Sequence, residues 1–116
     1  MTLEFDEICI DARDPTALGA WWADVLGWPH GIDADGDVRL HPPPGAGPDW
    51  IFIAVPDEKV VKNRIHLDFR GEDQQAEVDR LIGMGARHVD IGQGTQTWVV
   101  LADPEGNEFC VLPPDD

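Results

Sequence analysis

Lys62-Asn63-Arg64-Ile65-His66-Leu67-Asp68-Phe69 carries the pattern from which the rest of the chain can be read. From Arg64 onward it alternates: Ile65, Leu67 and Phe69 share one parity, and Arg64, His66, Asp68 and Arg70 share the other. A two-residue period marks a strand with one face turned to a core. The second face carries an imidazole and a carboxylate, so it either meets water or lines a concave site.

The same pattern stands 59 residues earlier. Residues 4–12 alternate with Ile8, Ile10 and Ala12 inward and Glu7, Cys9 and Asp11 opposite. Laying residues 7–14 over 66–73 brings Ile8 onto Leu67, Ile10 onto Phe69 and Asp14 onto Asp73, and Ala17 falls on Ala76. Both aspartates read as helix caps, Asp14 with Pro15 at the first helical position. Leu18, Trp21, Trp22, Val25 and Leu26 then form an apolar stripe that Gly27 ends. Val78, Leu81 and Ile82 do the same before Gly85.

Three strands follow each helix. In the first half, residues 30–33 and 37–41 flank an Asp35-Gly36 hairpin turn, and residues 50–55 are a continuous apolar run. In the second half they are residues 87–91, 97–102 and 108–112, the last two joined by a tight Asp103-Pro104-Glu105-Gly106-Asn107 turn. Residues 42–48, with four prolines and two glycines, are a loop, and residues 56–63 a charged connector.

Strand-helix-strand-strand-strand is therefore performed twice, over residues 3–55 and 64–112. Neither half buries its sheet alone. The expected fold is α+β: two βαβββ modules in one curled eight-stranded mixed sheet, with a helix from each module on the convex face. The second faces of the strands then line a cup.

A chain of 116 residues holds one domain with one sizeable core. Its 23 acidic residues against 8 basic ones give a net charge of -15. Such a field repels phosphate backbones and anionic membranes, which argues against nucleic acid or a membrane as partner. No apolar run approaches the ~20 residues of a membrane span, and the N-terminus lacks the basic start and apolar body of a signal peptide. Two cysteines, Cys9 and Cys110, make no disulfide framework, so a cytoplasmic protein with reduced thiols is expected.

At Lys62-Asn63-Arg64-Ile65-His66-Leu67-Asp68 and Asp103-Pro104-Glu105-Gly106-Asn107-Glu108-Phe109-Cys110-Val111-Leu112 the chain resembles the vicinal oxygen chelate superfamily, which groups glyoxalases, bleomycin resistance proteins and dioxygenases. Within it the chain is most similar to the short glyoxalase-like domain proteins, over roughly residues 3–112. The resemblance implies a homodimer. It also implies four positions for metal ligands, on the first and last strand of each module. Carried over, these fall on Glu7, within residues 50–55 where no side chain can coordinate, on His66, and on Cys110. The set His66, Glu7 and Cys110 lacks a fourth ligand and is not the oxygen-rich octahedron that glyoxalase or extradiol dioxygenase chemistry implies. The expected cofactor is therefore none.

The candidate site follows from these positions. His66 and Asp68 are the candidates for proton transfer in an isomerase or lyase, each with a simpler reading beside it: a scaffold histidine bonded to Glu7 or Asp68, and a carboxylate paired with Arg64 or Arg70. Glu7, Cys9 and Cys110 would supply polar contacts to a small organic molecule, although free cysteines are more often core filler. Trp50 and Trp98 can stack on a flat ligand, while Trp21, Trp22 and Trp28 read as core. The expected function is the binding of a small molecule in the cup without a metal. The alternatives are an antibiotic-sequestering protein, to which the charge of -15 would draw cationic drugs, and a metal-dependent lyase.

Overall fold

The computed structural model describes residues 2–114. The chain divides into two compact units, Met1–Glu58 and Lys59–Asp116. Among the described residues the strands form two four-stranded mixed sheets, so the hydrogen-bonded ladders close within each module rather than running on as one sheet of eight.

In the first unit β1 (Glu7–Ala12) is followed by α1 (Pro15–Leu26), then β2 (His30–Ile32), β3 (Val38–Leu40) and β4 (Asp49–Ala54), in the sheet order β1-β4-β3-β2. Asp14 caps α1 by accepting from the Ala17 N–H at 3.1 Å, and Gly27 ends it in the left-handed region at φ 69°. Parallel pairing of β1 with β4 sets Ile8 beside Trp50 and Ile10 beside Phe52. Antiparallel pairing of β4 with β3 adds Leu40 and Val38 to those rows. That face meets α1. Trp22 lies with its ring centroid 5.4 Å from that of Trp50, and Trp28 approaches Trp50 edge-on at 5.7 Å. Gly19 permits the close approach: a Cβ there would stand 2.5 Å from Val38 Cγ1.

The second unit repeats the plan with β5 (Leu67–Arg70), α2 (Gln74–Gly83), β6 (Arg87–His88), β7 (Val99–Ala102) and β8 (Glu108–Leu112), in the order β5-β8-β7-β6. Asp73 caps α2 through the Ala76 N–H at 3.0 Å. Leu67 pairs with Phe109 and Phe69 with Val111, so the 59-residue offset that joins the first strands and the caps also carries β4 onto β8. Phe69 and Phe109 meet edge to face at 5.9 Å. The turn before β8 is closed by the buried Asp103 carboxylate, which accepts from the backbone N–H groups of Glu105 and Asn107 and from the Asn107 side chain.

Some expectations are corrected. β1 begins at Glu7 and β5 at Leu67, later than the alternation suggests. Ile65 is therefore 81% exposed rather than buried, and on α2 the stripe narrows to Val78 and Leu81, with Ile82 exposed. The strand expected over residues 87–91 is only Arg87–His88. Among the described residues no helix is long and apolar enough to cross a membrane.

Candidate functional site

Each unit keeps one sheet face for polar groups, and the ladders fix its membership. In the first unit Cys9, Ile51 and Arg39 form one row across β1, β4 and β3, with Glu7 beside Asp49 in the next. In the second unit Asp68, Cys110 and Val100 form the corresponding row across β5, β8 and β7.

The first face is satisfied internally. Glu7 Oε1 accepts from Arg39 Nη1 at 3.0 Å, and Arg39 Nε donates to Asp33 Oδ2 at 3.1 Å. Cys9 Sγ, on an exposed residue, donates to Glu7 Oε2 at 3.4 Å. The two carboxylates raise the Arg39 guanidinium above its usual value. Desolvation pushes Asp33 up, but the Asp37 N–H, the Arg39 guanidinium and the Asp35 N–H together hold it below the usual carboxylate range. The Cys9 thiol is raised by desolvation and then by the neighbouring Glu7 and Asp11 carboxylates. Asp33, Asp35 and Asp37 are the one group of three metal-competent side chains among the described residues whose donor atoms lie within 4.8 Å of one another. Asp33 Oδ1 already accepts from the Asp35 and Asp37 N–H groups, so the grouping belongs to the β2–β3 turn.

The second face is more open. Asp68 is exposed, beside the buried Cys110 thiol with which it shares a hydrogen bond. Burial and the Asp68 carboxylate push that thiol up to about 11, so it stays protonated at neutral pH. His66 is half-buried just ahead of β5, its Nε2 3.1 Å from the Asn63 carbonyl oxygen. Within this unit His66, Asp68 and Cys110 are not gathered into a three-donor cluster.

Of the two expected aromatic platforms, Trp98 is half-buried immediately before β7. Trp50 is instead a core residue. It is 4% exposed, on the α1 side of β4, and packs among the rings of Trp22, Trp28 and Phe52. His30, His41 and His88 are exposed.

Three charged residues escaped the sequence reading. Arg39 organises the first face, and its signal was the Asp35-Gly36 turn, which folds Arg39 back beside Asp33. Glu108 is 9% exposed and takes both the Lys59 ammonium and the Asn63 N–H, the latter at 2.7 Å. Desolvation raises its carboxyl, but these two donors more than offset that and hold it below the usual range. Their signal was the lysine-rich connector preceding a lone acid inside an apolar strand.

Two units that each run strand-helix-three strands share their fold with proteins described as glyoxalase/bleomycin resistance/dioxygenase family members. The glyoxalase-like domain model matches residues 7–112, and the chain belongs to that family. Among solved structures, a glyoxalase/bleomycin resistance protein/dioxygenase family enzyme from Burkholderia phytofirmans shares 21% identity at a TM-score of 0.70, covering 93% of this chain and 96% of its own. The fosfomycin resistance protein FosX from Listeria monocytogenes, solved with Mn(II) and sulfate, aligns at TM-score 0.75 and 13% identity over 98% of this chain and 92% of its own. TnmS3, an antibiotic-binding protein from Streptomyces, aligns at 0.68 and 16% over 99% of both chains. At these identities the likeness concerns the fold alone. No curated protein matches the sequence.

Proposed function

We propose that this protein binds a small organic molecule without a metal, through the polar sheet faces of its modules. The observation that carries this reading is the strand register. Ile51 stands beside Cys9 where Cys110 stands beside Asp68, so the last-strand ligand position of one module offers an aliphatic side chain and that of the other a buried thiol. A metal would have to displace the thiol proton and compete with Arg39 for Glu7, which leaves His66 as the one ready donor. The donor set does not fit the metal centre that the superfamily implies.

In the second module the contacts assigned to a ligand are His66, Asp68, Cys110 and Trp98; in the first module Glu7 and Cys9 are assigned as polar contacts on that module's own sheet face. If turnover accompanies binding, the reaction class is proton transfer of isomerase or lyase type, with His66 or Asp68 as base. A second reading, sequestration of a basic antibiotic without chemistry, draws on the net charge of -15 and the exposure of Asp68. The acidic surface argues equally against nucleic acid or an anionic membrane as partner.

The test uses protein purified without a metal-affinity tag, exposed to Zn, Ni, Mn or Fe(II) and then analysed for metal. The expected result is no stoichiometric retention, and a melting temperature unmoved by EDTA. One metal retained per chain and lost in His66→Ala would overturn the reading. Calorimetric titration with a basic bleomycin-type glycopeptide then separates the two ligand classes. Affinity that weakens with salt favours sequestration, and absence of binding at low salt removes that branch.

A further inference from the structure

Six of the eight basic residues of the chain lie in the second unit, Lys59–Asp116. Lys59 pairs with Glu108 and Arg80 with Glu77, while Arg70 Nη1 donates to the Pro113 and Pro114 carbonyls. Lys62 is different. It is exposed and makes no ion pair among the described residues, although acids outnumber bases 23 to 8. Its Nζ donates to the Asn63 carbonyl oxygen at 3.4 Å, the same oxygen that His66 Nε2 approaches at 3.1 Å. An ammonium carries three N–H donors, so Lys62 keeps donors to offer beyond that one contact.

Its place is built into the module. The buried Glu108 carboxylate holds the Lys59 ammonium on one side of Lys62 and the Asn63 N–H on the other, so residues 60–62 are pinned at both ends. Glu108 stands two residues before Cys110 on β8 and so shares its face. Lys62 is felt there. Burial and the Asp68 carboxylate push the Cys110 thiol up, and the Lys62 ammonium acts on it in the opposite sense. A carbonyl oxygen only accepts, so His66 carries its hydrogen on Nε2 and, when neutral, keeps Nδ1 as an acceptor. In the neutral state His66 therefore offers no second donor, and the ammonium is the anion-seeking group beside it. We infer that Lys62 is the anion-binding residue of the second module's polar face, and that the molecule taken there is a small organic carboxylate. Its charged group sits on Lys62 Nζ and its body lies along the row of Cys110 and Val100. Asp68, engaged by the Cys110 thiol, repels a carboxylate and so directs it to the Lys62 end. The inference rests on the reading of this face as a ligand site, and it names the charge of the ligand.

The experiment titrates the full chain with three matched series and reads backbone amide NMR shifts. The carboxylates are mandelate and phenylacetate, the neutral analogues mandelamide and phenylacetamide, and the cations phenylethanolamine and phenethylamine. The carboxylates are expected to shift residues 62–68 and 110, and the amides and amines to leave them in place. Lys62→Gln should weaken the better-bound carboxylate about tenfold, since it removes a charge-assisted contact. Lys62→Arg should keep most of the affinity. Arg80→Gln removes the same charge from α2 and should change the affinity by no more than about twofold, as expected for a paired surface cation away from the ligand. Circular dichroism checks that each variant is folded. Amides or amines that shift these residues as strongly, an affinity indifferent to Lys62→Gln, or an equal loss in Arg80→Gln would overturn the assignment of charge and leave the face a small-molecule site. Silence of all three series at these residues would overturn the assignment together with the reading of the face beneath it.

Discussion

On the helix-facing side of β4 the first module sets Trp50 among Trp22, Trp28 and Phe52, whereas the equivalent place on β8 holds Phe109, which meets Phe69. The opposite faces diverge as well. In the first module Glu7, Arg39 and Asp33 pair with one another, while in the second Asp68 stands exposed and the charge network moves to the connector, where Lys59 and Asn63 converge on Glu108. One register thus supports two divisions of labour. The first module combines a larger aromatic core with a self-neutralised face, and the second a lighter core with an exposed acid.

Truncating the equivalent aromatic positions probes this contrast most strongly. Trp50→Ala should cost about 5 kcal/mol and Phe109→Ala about 3, read from urea midpoints. Equal losses would mean that the two cores carry the same weight. Glu108→Gln comes next, at about 1.5–3 kcal/mol, because it strips charge from a buried acceptor of two donors. The folded carboxyl is lowered, so its stabilisation is present above the unfolded value of about 4.3 and is lost as pH falls through the lower folded value. The variant should therefore show a shallower acid-side decline in melting temperature, and an unchanged decline would remove Glu108 from that role.

The helix caps should resist the contrast. Asp14→Ala and Asp73→Ala are each expected to cost about 1 kcal/mol, since both make the same bond in the same frame. A large inequality would show the modules diverging in backbone as well as side chains. Smallest is Arg13→Ala, whose pair with Glu58 is solvent-exposed on both sides and is expected to matter by no more than about 0.5 kcal/mol.

Local signals carried much of this architecture. Alternation, two aspartate caps and the turn residues sufficed to find both modules and the offset between them. What stayed hidden depended on pairing between distant strands. Nothing in the apolar run at residues 50–55 says which parity meets the helix, because that follows from Trp50 lying beside Ile8. The alternation from Arg64 overstated β5, since the Asn63 N–H goes to the Glu108 carboxylate and the chain reaches the ladder only at Leu67. Glu7, Cys9 and Asp68 were legible from parity and lie in the ladders, whereas Cys110 was reached through the resemblance and His66 stands ahead of β5, outside the ladder. Arg39 was not legible, because its importance comes from two acids that fold back to it.

The Asp103 turn bears on how the chain reaches this state. Its carboxylate gathers donors no more than four residues away, and Gly106 takes the left-handed φ of 93° that the reversal needs. The β7–β8 hairpin can therefore form from contacts near in sequence, before any distant segment arrives. The parallel ladders, Ile8 with Trp50 and Leu67 with Phe109, close long loops and bear the entropic barrier. In kinetic terms the hairpin is expected to form early, and the joining of each first strand to its last to set the rate.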